Sequence, residues 1–263
     1  MSFPRARKRF GQHFLHDPAV LEHIVASVDP QPGDRLVEIG PGRGALTRLL
    51  LTATEGALDA IEIDRDLAEL LRSEFSSQGG FVLHEADALD FDFEALARER
   101  GGPLRVIGNL PYNISTPLLF HLLAKPAQMQ DFHVMLQREV VDRIAAEPGS
   151  EDYGRLTVML SPWVHVEKLF DVGPGAFQPA PRVWSSVVRL TVRDRPAFTV
   201  SSNFARVVLA AFSHRRKTLR NALKGVVDPA QIEASGVDGS VRPGTLTPAM
   251  FNLLAQTLDT PQI

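Results

Sequence analysis

The residues best suited to chemistry form one short run, Asn109-Leu110-Pro111-Tyr112, followed by Asn113-Ile114-Ser115-Thr116. A carboxamide, a proline-fixed backbone and a phenol ring come together there. The Asn109 side-chain oxygen and the Leu110 carbonyl can each accept one N–H of an exocyclic amine on a planar base. Holding both protons aims the nitrogen lone pair at an electrophile. Tyr112 can stack on the base, an interaction worth ~1–3 kcal/mol, and aromatic faces also attract a sulfonium cation. Transfer of a methyl group from a sulfonium releases a neutral thioether, and the product amine loses its proton afterwards. A strong base beside Asn109 is therefore not required. In isolation the same run reads as a turn; its position at a strand end is what makes it a candidate site.

Three earlier strand ends carry complementary residues. Glu38-Ile39-Gly40-Pro41-Gly42-Arg43-Gly44 closes one apolar run and opens a helix, and its glycines let backbone approach a ligand. The spacing is G-x-G-x-G, with alanine at position 45 where a dinucleotide fingerprint prefers a further glycine. Glu62, 18 residues after Gly44, can accept hydrogen bonds from ribose hydroxyls, and Asp87 can meet an adenine amino group. Each acid alone also reads as a helix cap. Gly, Glu and Asp at consecutive strand ends read as a nucleoside site, and with the sulfonium argument they point to S-adenosylmethionine.

The elements that position these residues alternate. Apolar runs at 35–39, 57–63, 81–84, 104–108 and 132–136 read as strands, and helical patterns at 45–52, 67–75, 93–100, 116–124 and 139–146 follow them. Asp17-Pro18 begins an earlier helix, and Asp64 and Ser115 read as N-caps. Continuous apolar strands alternating with helices predict an α/β fold, a Rossmann-like parallel sheet covered on both faces. Runs at 164–172 and 184–192, separated by a Pro/Gly-rich stretch, read as a closing antiparallel pair. Beyond about residue 196 the pattern is helical only, at 205–212, 217–224 and 249–258. This predicts an α/β domain over 1–194 that carries the candidate site, with a basic arm over 1–16, and a helical domain over 195–263.

Composition excludes several classes. The chain has 263 residues, with 44% hydrophobic and 22% charged side chains, which is globular rather than disordered. There is no cysteine, so a disulfide scaffold, a thiolate metal site and a cysteine nucleophile are excluded. The 8 histidines show no ligand spacing, and no metal site is expected. No apolar run reaches the ~20 residues of a membrane span, so a cytoplasmic protein without a membrane partner is expected. The net charge is −3, yet the seven basic residues between Arg195 and Val227 have no acid among them. Arg216, Arg220 and Lys224 recur every four residues, predicting one basic helical face flanked by Arg215 and Lys217. Such a face is either solvated or a phosphate-binding surface. Trp163 and Trp184 read as packing residues. Gln137-Arg138-Glu139 reads either as ordering a substrate pocket or as an ordinary helix N-terminus.

These motifs resemble those of the bacterial small-subunit ribosomal RNA adenine dimethyltransferases, the KsgA family. The resemblance spans nearly the whole chain. It rests on Arg7–Leu15, Glu38–Thr47, Ala60–Asp64, Asp87, Asn109–Thr116, Tyr153–Leu156, Phe177–Val183 and Phe212–Leu223. It implies S-adenosylmethionine-dependent formation of N6,N6-dimethyladenosine at two adjacent adenosines. These lie in a hairpin loop near the 3′ end of 16S rRNA, within the 30S subunit or its precursor, and are modified late in subunit assembly. It further implies that His13, Leu15, Gly40, Glu62, Asp87 and Asn109 hold the cofactor and that Phe177 stacks on the flipped adenine opposite Tyr112. Arg7, Lys8, Arg9, Arg182, Arg215, Arg216, Lys217 and Arg220 are the expected RNA contacts, and a monomer is the family expectation. The chain departs from many members in carrying histidine rather than asparagine at position 13 and arginine rather than lysine at 182.

The nearest rival reading is the related large-subunit adenine methyltransferase that confers macrolide resistance, which shares the sheet and a similar Asn-x-Pro-Tyr motif. Leu110 and the Phe-x-x-Arg-Arg-Lys pattern beginning at Phe212 favour the small-subunit enzyme. A DNA adenine methyltransferase lacks a recognisable duplex-reading motif here. An assembly factor that only binds the immature subunit leaves the intact Asn109–Tyr112, Glu62 and Asp87 set without a purpose. A nicotinamide oxidoreductase shares the glycine loop but leaves Asn109–Tyr112 unexplained.

Overall fold

A computed structural model describes residue 7 and residues 12–259. The chain runs β1 (Phe14–Leu15), α1 (Pro18–Val28), β2 (Leu36–Ile39), α2 (Ala45–Ala53), β3 (Leu58–Glu62), α3 (Arg65–Glu74), β4 (Phe81–Glu85), α4 (Phe93–Glu99), β5 (Leu104–Asn109) and α5 (Ser115–Leu122). It continues through β6 (Met129–Gln137), α6 (Arg138–Ile144), α7 (Arg155–Leu160), β7 (Val164–Val172), β8 (Phe177–Gln178), β9 (Ser185–Val192), α8 (Phe204–Ser213), α9 (Leu219–Ala222), α10 (Pro229–Ala234) and α11 (Pro248–Gln256).

Seven strands form one sheet in the order β4-β3-β2-β5-β6-β9-β7. The first five in that order are parallel to their neighbours, and β9 runs antiparallel to β6 with Met135 opposite Val187. β2 and β3 are buried along their whole length, as continuous apolar strands require. Helix caps follow the local chemistry. Asp17 Oδ1 accepts the Ala19 and Val20 amides at 2.9 and 3.2 Å ahead of Pro18, and Asp64 Oδ1 accepts the Asp66 amide at 3.2 Å. The cap of α5 is Ile114 rather than Ser115, whose hydroxyl instead donates to the Tyr112 carbonyl at 3.2 Å.

A second, two-stranded sheet pairs β1 with β8, Leu15 opposite Phe177. Neither strand was expected, because two-residue strands leave no periodicity to read. Their pairing determines where Phe177 goes. Its side chain is 3% exposed and packs in the core that includes Leu15, Ile24, Leu46 and Val187. Phe177 is therefore a core residue here, not an open stacking surface opposite Tyr112.

The chain divides into two compact units, one over 1–141 and 166–192, the other over 142–165 and 193–263. The single boundary expected at 194 is corrected in this respect. Residues 142–165 join the helical unit because Tyr153 and Val158 pack with Phe204, Val208, Leu219 and Phe251 in its core. The Tyr153 hydroxyl donates to the Leu246 carbonyl at 2.6 Å.

The predicted helix over 217–224 shortens to α9, which spans only Leu219–Ala222. Thr218 is extended (φ −61°, ψ 153°), and Gly225 adopts φ 85° beyond the other end. Arg216 and Lys224 therefore do not share a helical face with Arg220. Arg215, Arg216, Lys217 and Arg220 are all exposed, and Arg215 donates to the carbonyls of Ser150 and Glu151. Trp163 is half-buried, but Trp184 is exposed, so the expectation of two packing tryptophans fails for Trp184. Among the described residues no helix is long and apolar enough to cross a membrane.

Candidate active site

Ligands of open α/β sheets bind outside the carboxyl ends of the strands, where strand order reverses. Here the reversal lies between β2 and β5, and the ends of β2, β3, β4 and β5 open onto a cavity of about 310 Å³. The loop after β2 is shaped by glycine. Gly42 and Gly44 have φ of 59° and 73°, and a Cβ at either position would lie 3.0 Å from Phe14 or 2.9 Å from Phe75. Both the left-handed backbone and the close ring contacts exclude a side chain there.

The neighbouring acids hold this loop and face the same space. Glu62 ends β3; its Oε2 accepts the Gly42 amide at 3.1 Å and its Oε1 the Asp64 amide at 2.9 Å. Burial raises its pKa above the usual carboxylate range, although these amides oppose the shift. The Ile63 amide also meets this carboxylate, which still keeps lone-pair capacity for a hydroxyl. Asp87 lies two residues beyond β4, and its Oδ1 accepts the Leu89 amide at 2.9 Å. Asp87 lines the cavity with Gly40 and Glu62.

At the end of β5, Asn109 Nδ2 donates to the His13 carbonyl at 2.9 Å, which leaves Oδ1 as an acceptor. The Leu110 amide donates to the Met135 carbonyl at 3.1 Å. The Tyr112 hydroxyl is 2.8 Å from Ser185 Oγ, and burial raises its pKa. The His13 ring lies 5.8 Å from the Tyr112 ring with a 26° interplanar angle, and its Nδ1 donates to the Pro179 carbonyl at 2.7 Å. His13, Leu15, Gly40, Glu62, Asp87, Asn109, Leu110, Pro111 and Tyr112 thus line one cavity, and Phe177 does not.

The expected RNA contacts are placed differently. Arg7 is paired with Asp64, at 2.8 Å, and with Asp66. Lys8 and Arg9 lie outside the described residues. Arg182 is exposed just before β9, in the same unit as the cavity. Arg215, Arg216, Lys217 and Arg220 belong to the helical unit.

Two cavity residues were not singled out from sequence. Glu38 is 2% exposed and accepts the Thr47 hydroxyl at 2.7 Å; burial raises its pKa to about 7, with Glu62 adding to the shift and Thr47 opposing it. An acid within a fully buried strand, immediately before the glycine loop, was the available signal. Ile63 is an exposed apolar residue lining the cavity directly after Glu62, where it can cover one face of a bound base.

The donor set fits S-adenosylmethionine. A glycine loop without room for a Cβ offers backbone, Glu62 and Asp87 offer acceptors for hydroxyl and amino groups, and Tyr112 offers an aromatic face.

The sequence matches the ribosomal RNA adenine dimethylase family over residues 4–260. It is 53% identical over 257 residues to the ribosomal RNA small subunit methyltransferase A of Pseudomonas syringae pv. tomato, covering 97% of this chain and 95% of that protein. It is 54% identical over 246 residues to the protein of the same name from Nitrosococcus oceani, covering 92% of each. Among solved structures, the 23S rRNA methyltransferase ErmE superposes with a TM-score of 0.70 at 26% identity, covering 94% of this chain and 100% of that one. A dimethyladenosine transferase from Plasmodium falciparum shares the fold with a TM-score of 0.80 at 24% identity, covering 94% and 98%. The chain belongs to the ribosomal RNA adenine dimethylase family, with S-adenosylmethionine as its methyl donor.

Proposed function

We propose that this protein dimethylates N6 of two adjacent adenosines in the hairpin loop near the 3′ end of 16S rRNA. It does so as a cytoplasmic monomer acting on the 30S subunit or its precursor, late in small-subunit assembly. The observation that carries the chemistry is the orientation of Asn109. Its Nδ2 is committed to the His13 carbonyl, so Oδ1 is left as an acceptor on a residue lining the cofactor cavity. Asn109 Oδ1 and the Leu110 carbonyl take the two N–H groups of the target amine and fix its lone pair. Tyr112, anchored through Ser185, supplies the stacking face.

When bound, S-adenosylmethionine supplies the electrophilic methyl group. His13, Leu15, Gly40, Glu62, Asp87 and Asn109 hold it, and two rounds of binding serve the two methylations of each base. A base must leave its stack to reach such a cavity, and a loop adenosine costs least to extrude. Arg182, Arg215, Arg216, Lys217 and Arg220, with Lys8 and Arg9 of the arm, meet phosphates. Arg7 can join them only by giving up its pairing with Asp64 and Asp66.

The names of the relatives at 53% and 54% identity support the small-subunit reading over the large-subunit one, which ErmE represents at 26%. The test is incubation with labelled S-adenosylmethionine and unmethylated 30S subunits, followed by mass-spectrometric mapping of modified nucleosides. Dimethyladenosine at the 3′-terminal hairpin is the expected result. Label on 23S rRNA alone favours the large-subunit reading, and subunit binding without transfer overturns catalysis in favour of an assembly factor.

A further inference from the structure

Trp184 is 51% exposed, the most open of the large apolar side chains among the described residues. An indole left half in water is unusual, because its large apolar surface ordinarily ends in a core or an interface. Its surroundings show how it is held. The six-membered ring rests against Gly173, with Cη2 and Cζ3 3.6 and 3.7 Å from the place a Cβ would occupy.

The backbone at this point is anchored. The Trp184 carbonyl accepts the Arg138 amide at 2.9 Å. The next residue, Ser185, is fully buried, faces Gln137 across the β6–β9 ladder, and bonds the Tyr112 hydroxyl at 2.8 Å. Trp184 thus sits one residue from the group that fixes the catalytic aromatic ring.

The adjoining charge is largely cationic. Arg182 is exposed two residues earlier, and Arg138 keeps 52% of its side chain in solvent. Asp171 is shared between Arg138, at 3.7 Å, and Lys168, at 3.0 Å. An exposed aromatic surface with arginines nearby in the chain, one residue from the serine that holds Tyr112, matches the chemistry of single-stranded RNA recognition. Flanking bases stack on the ring while cations track the phosphates.

We infer that Trp184 is a substrate-positioning residue on which a nucleotide flanking the target adenine stacks. This inference rests on the reading that the substrate is an adenosine in a single-stranded RNA loop. Tyr112 then grips the base being methylated, and Trp184 holds its neighbour in register.

The experiment compares Trp184→Ala and Trp184→Phe in steady-state methyl transfer to unmethylated 30S subunits. It also follows tryptophan fluorescence in the full-length Trp163→Phe protein titrated with an RNA hairpin carrying loop adenosines. Trp184→Ala is expected to raise KM for the subunit about 5–150-fold, the range set by loss of one base stack. Its kcat and its affinity for S-adenosylmethionine should change less than about twofold, and Trp184→Phe should restore most of the KM. The hairpin should quench Trp184 fluorescence.

An unchanged KM in Trp184→Ala with no quenching overturns the inference. So does an equal loss of S-adenosylmethionine affinity, which marks a structural role instead. Quenching by the hairpin in a protein that forms no dimethyladenosine sinks the proposed function and leaves Trp184 as an RNA contact. Normal dimethylation with normal KM in Trp184→Ala sinks only this inference.

Discussion

The two ends of the central sheet treat buried charge in opposite ways. Near the amino ends of the strands, acids are closed by cations. Asp59 receives a two-pronged contact from Arg100 at 2.7 and 2.8 Å and another from His84 at 2.8 Å. Arg105 bridges Asp34 and Asp131 and donates to the Val28 carbonyl at 2.7 Å. At the carboxyl ends, Glu38 and Glu62 are equally buried, but their partners are a hydroxyl and backbone amides. The pKa values follow this division. Burial pushes Asp59 up, but its bonds to His84 and Arg100 outweigh that and lower it, whereas burial raises Glu38 to about 7. One end uses its charges to complete the fold. The other keeps acceptor capacity for something that is not protein.

The largest effect that could break this comparison is at the amino end. Arg105→Ala leaves Asp34 and Asp131 without their shared cation and should cost about 3–5 kcal/mol in denaturant unfolding. The folded variant should still bind S-adenosylmethionine normally. A loss below about 1 kcal/mol would erase the distinction between the two ends.

At the carboxyl end, Asn109→Ala should lower kcat by about 10²–10³-fold, the magnitude typical of removing one well-placed polar group from a reacting centre. Its cofactor dissociation constant should change far less. Unimpaired dimethylation by this variant removes Asn109 from the chemistry.

Glu38→Gln sharpens the comparison through pH. A carboxyl whose folded pKa lies above its unfolded value of 4.5 binds more protons when folded, so stability falls as pH rises from about 4.5 to about 7. Without cofactor, Glu38 should account for a loss on the order of 3 kcal/mol across that window, and the variant should lack that part of the slope while Glu62, also raised by burial, keeps its own. Asp59 has the opposite sign, since its contribution disappears as pH falls below about 3.8. A native profile that matches Glu38→Gln would show that Glu38 is not perturbed.

The smallest effect concerns Phe177→Leu. Trimming this core side chain should cost about 1–2 kcal/mol and leave kcat within about threefold. A collapse of kcat with intact folding would restore Phe177 as the second stacking face.

Much of this arrangement was legible in the sequence because it is local. Apolar runs alternating with helical patterns placed β2 to β6 within a few residues, and the catalytic run and both cofactor acids stand at their ends. What was not legible depends on distant partners. His13 meets Pro179 across 166 residues, and the β1–β8 pair buries Phe177 against Leu15. Nothing local in residues 142–165 tells which core they join. The exposure of Trp184 is likewise set by what fails to cover it. Four-residue spacing of Arg216, Arg220 and Lys224 imitated a helix that Thr218 and Gly225 cut short.

The interleaving of the two units also bears on synthesis. Strand β6 ends at Gln137, and its antiparallel neighbour begins only at Ser185. Between them the chain first makes 142–165, which cannot find its own core until residues beyond 193 exist. At about 5–20 residues per second, β6 therefore waits several seconds as an unpaired edge during translation. That edge, Met129–Gln137, is largely apolar and buried in the finished molecule, and open edges of this kind recruit other strands. The arrangement makes the nascent chain most vulnerable to misassociation after its catalytic motif has been made and before its sheet can close.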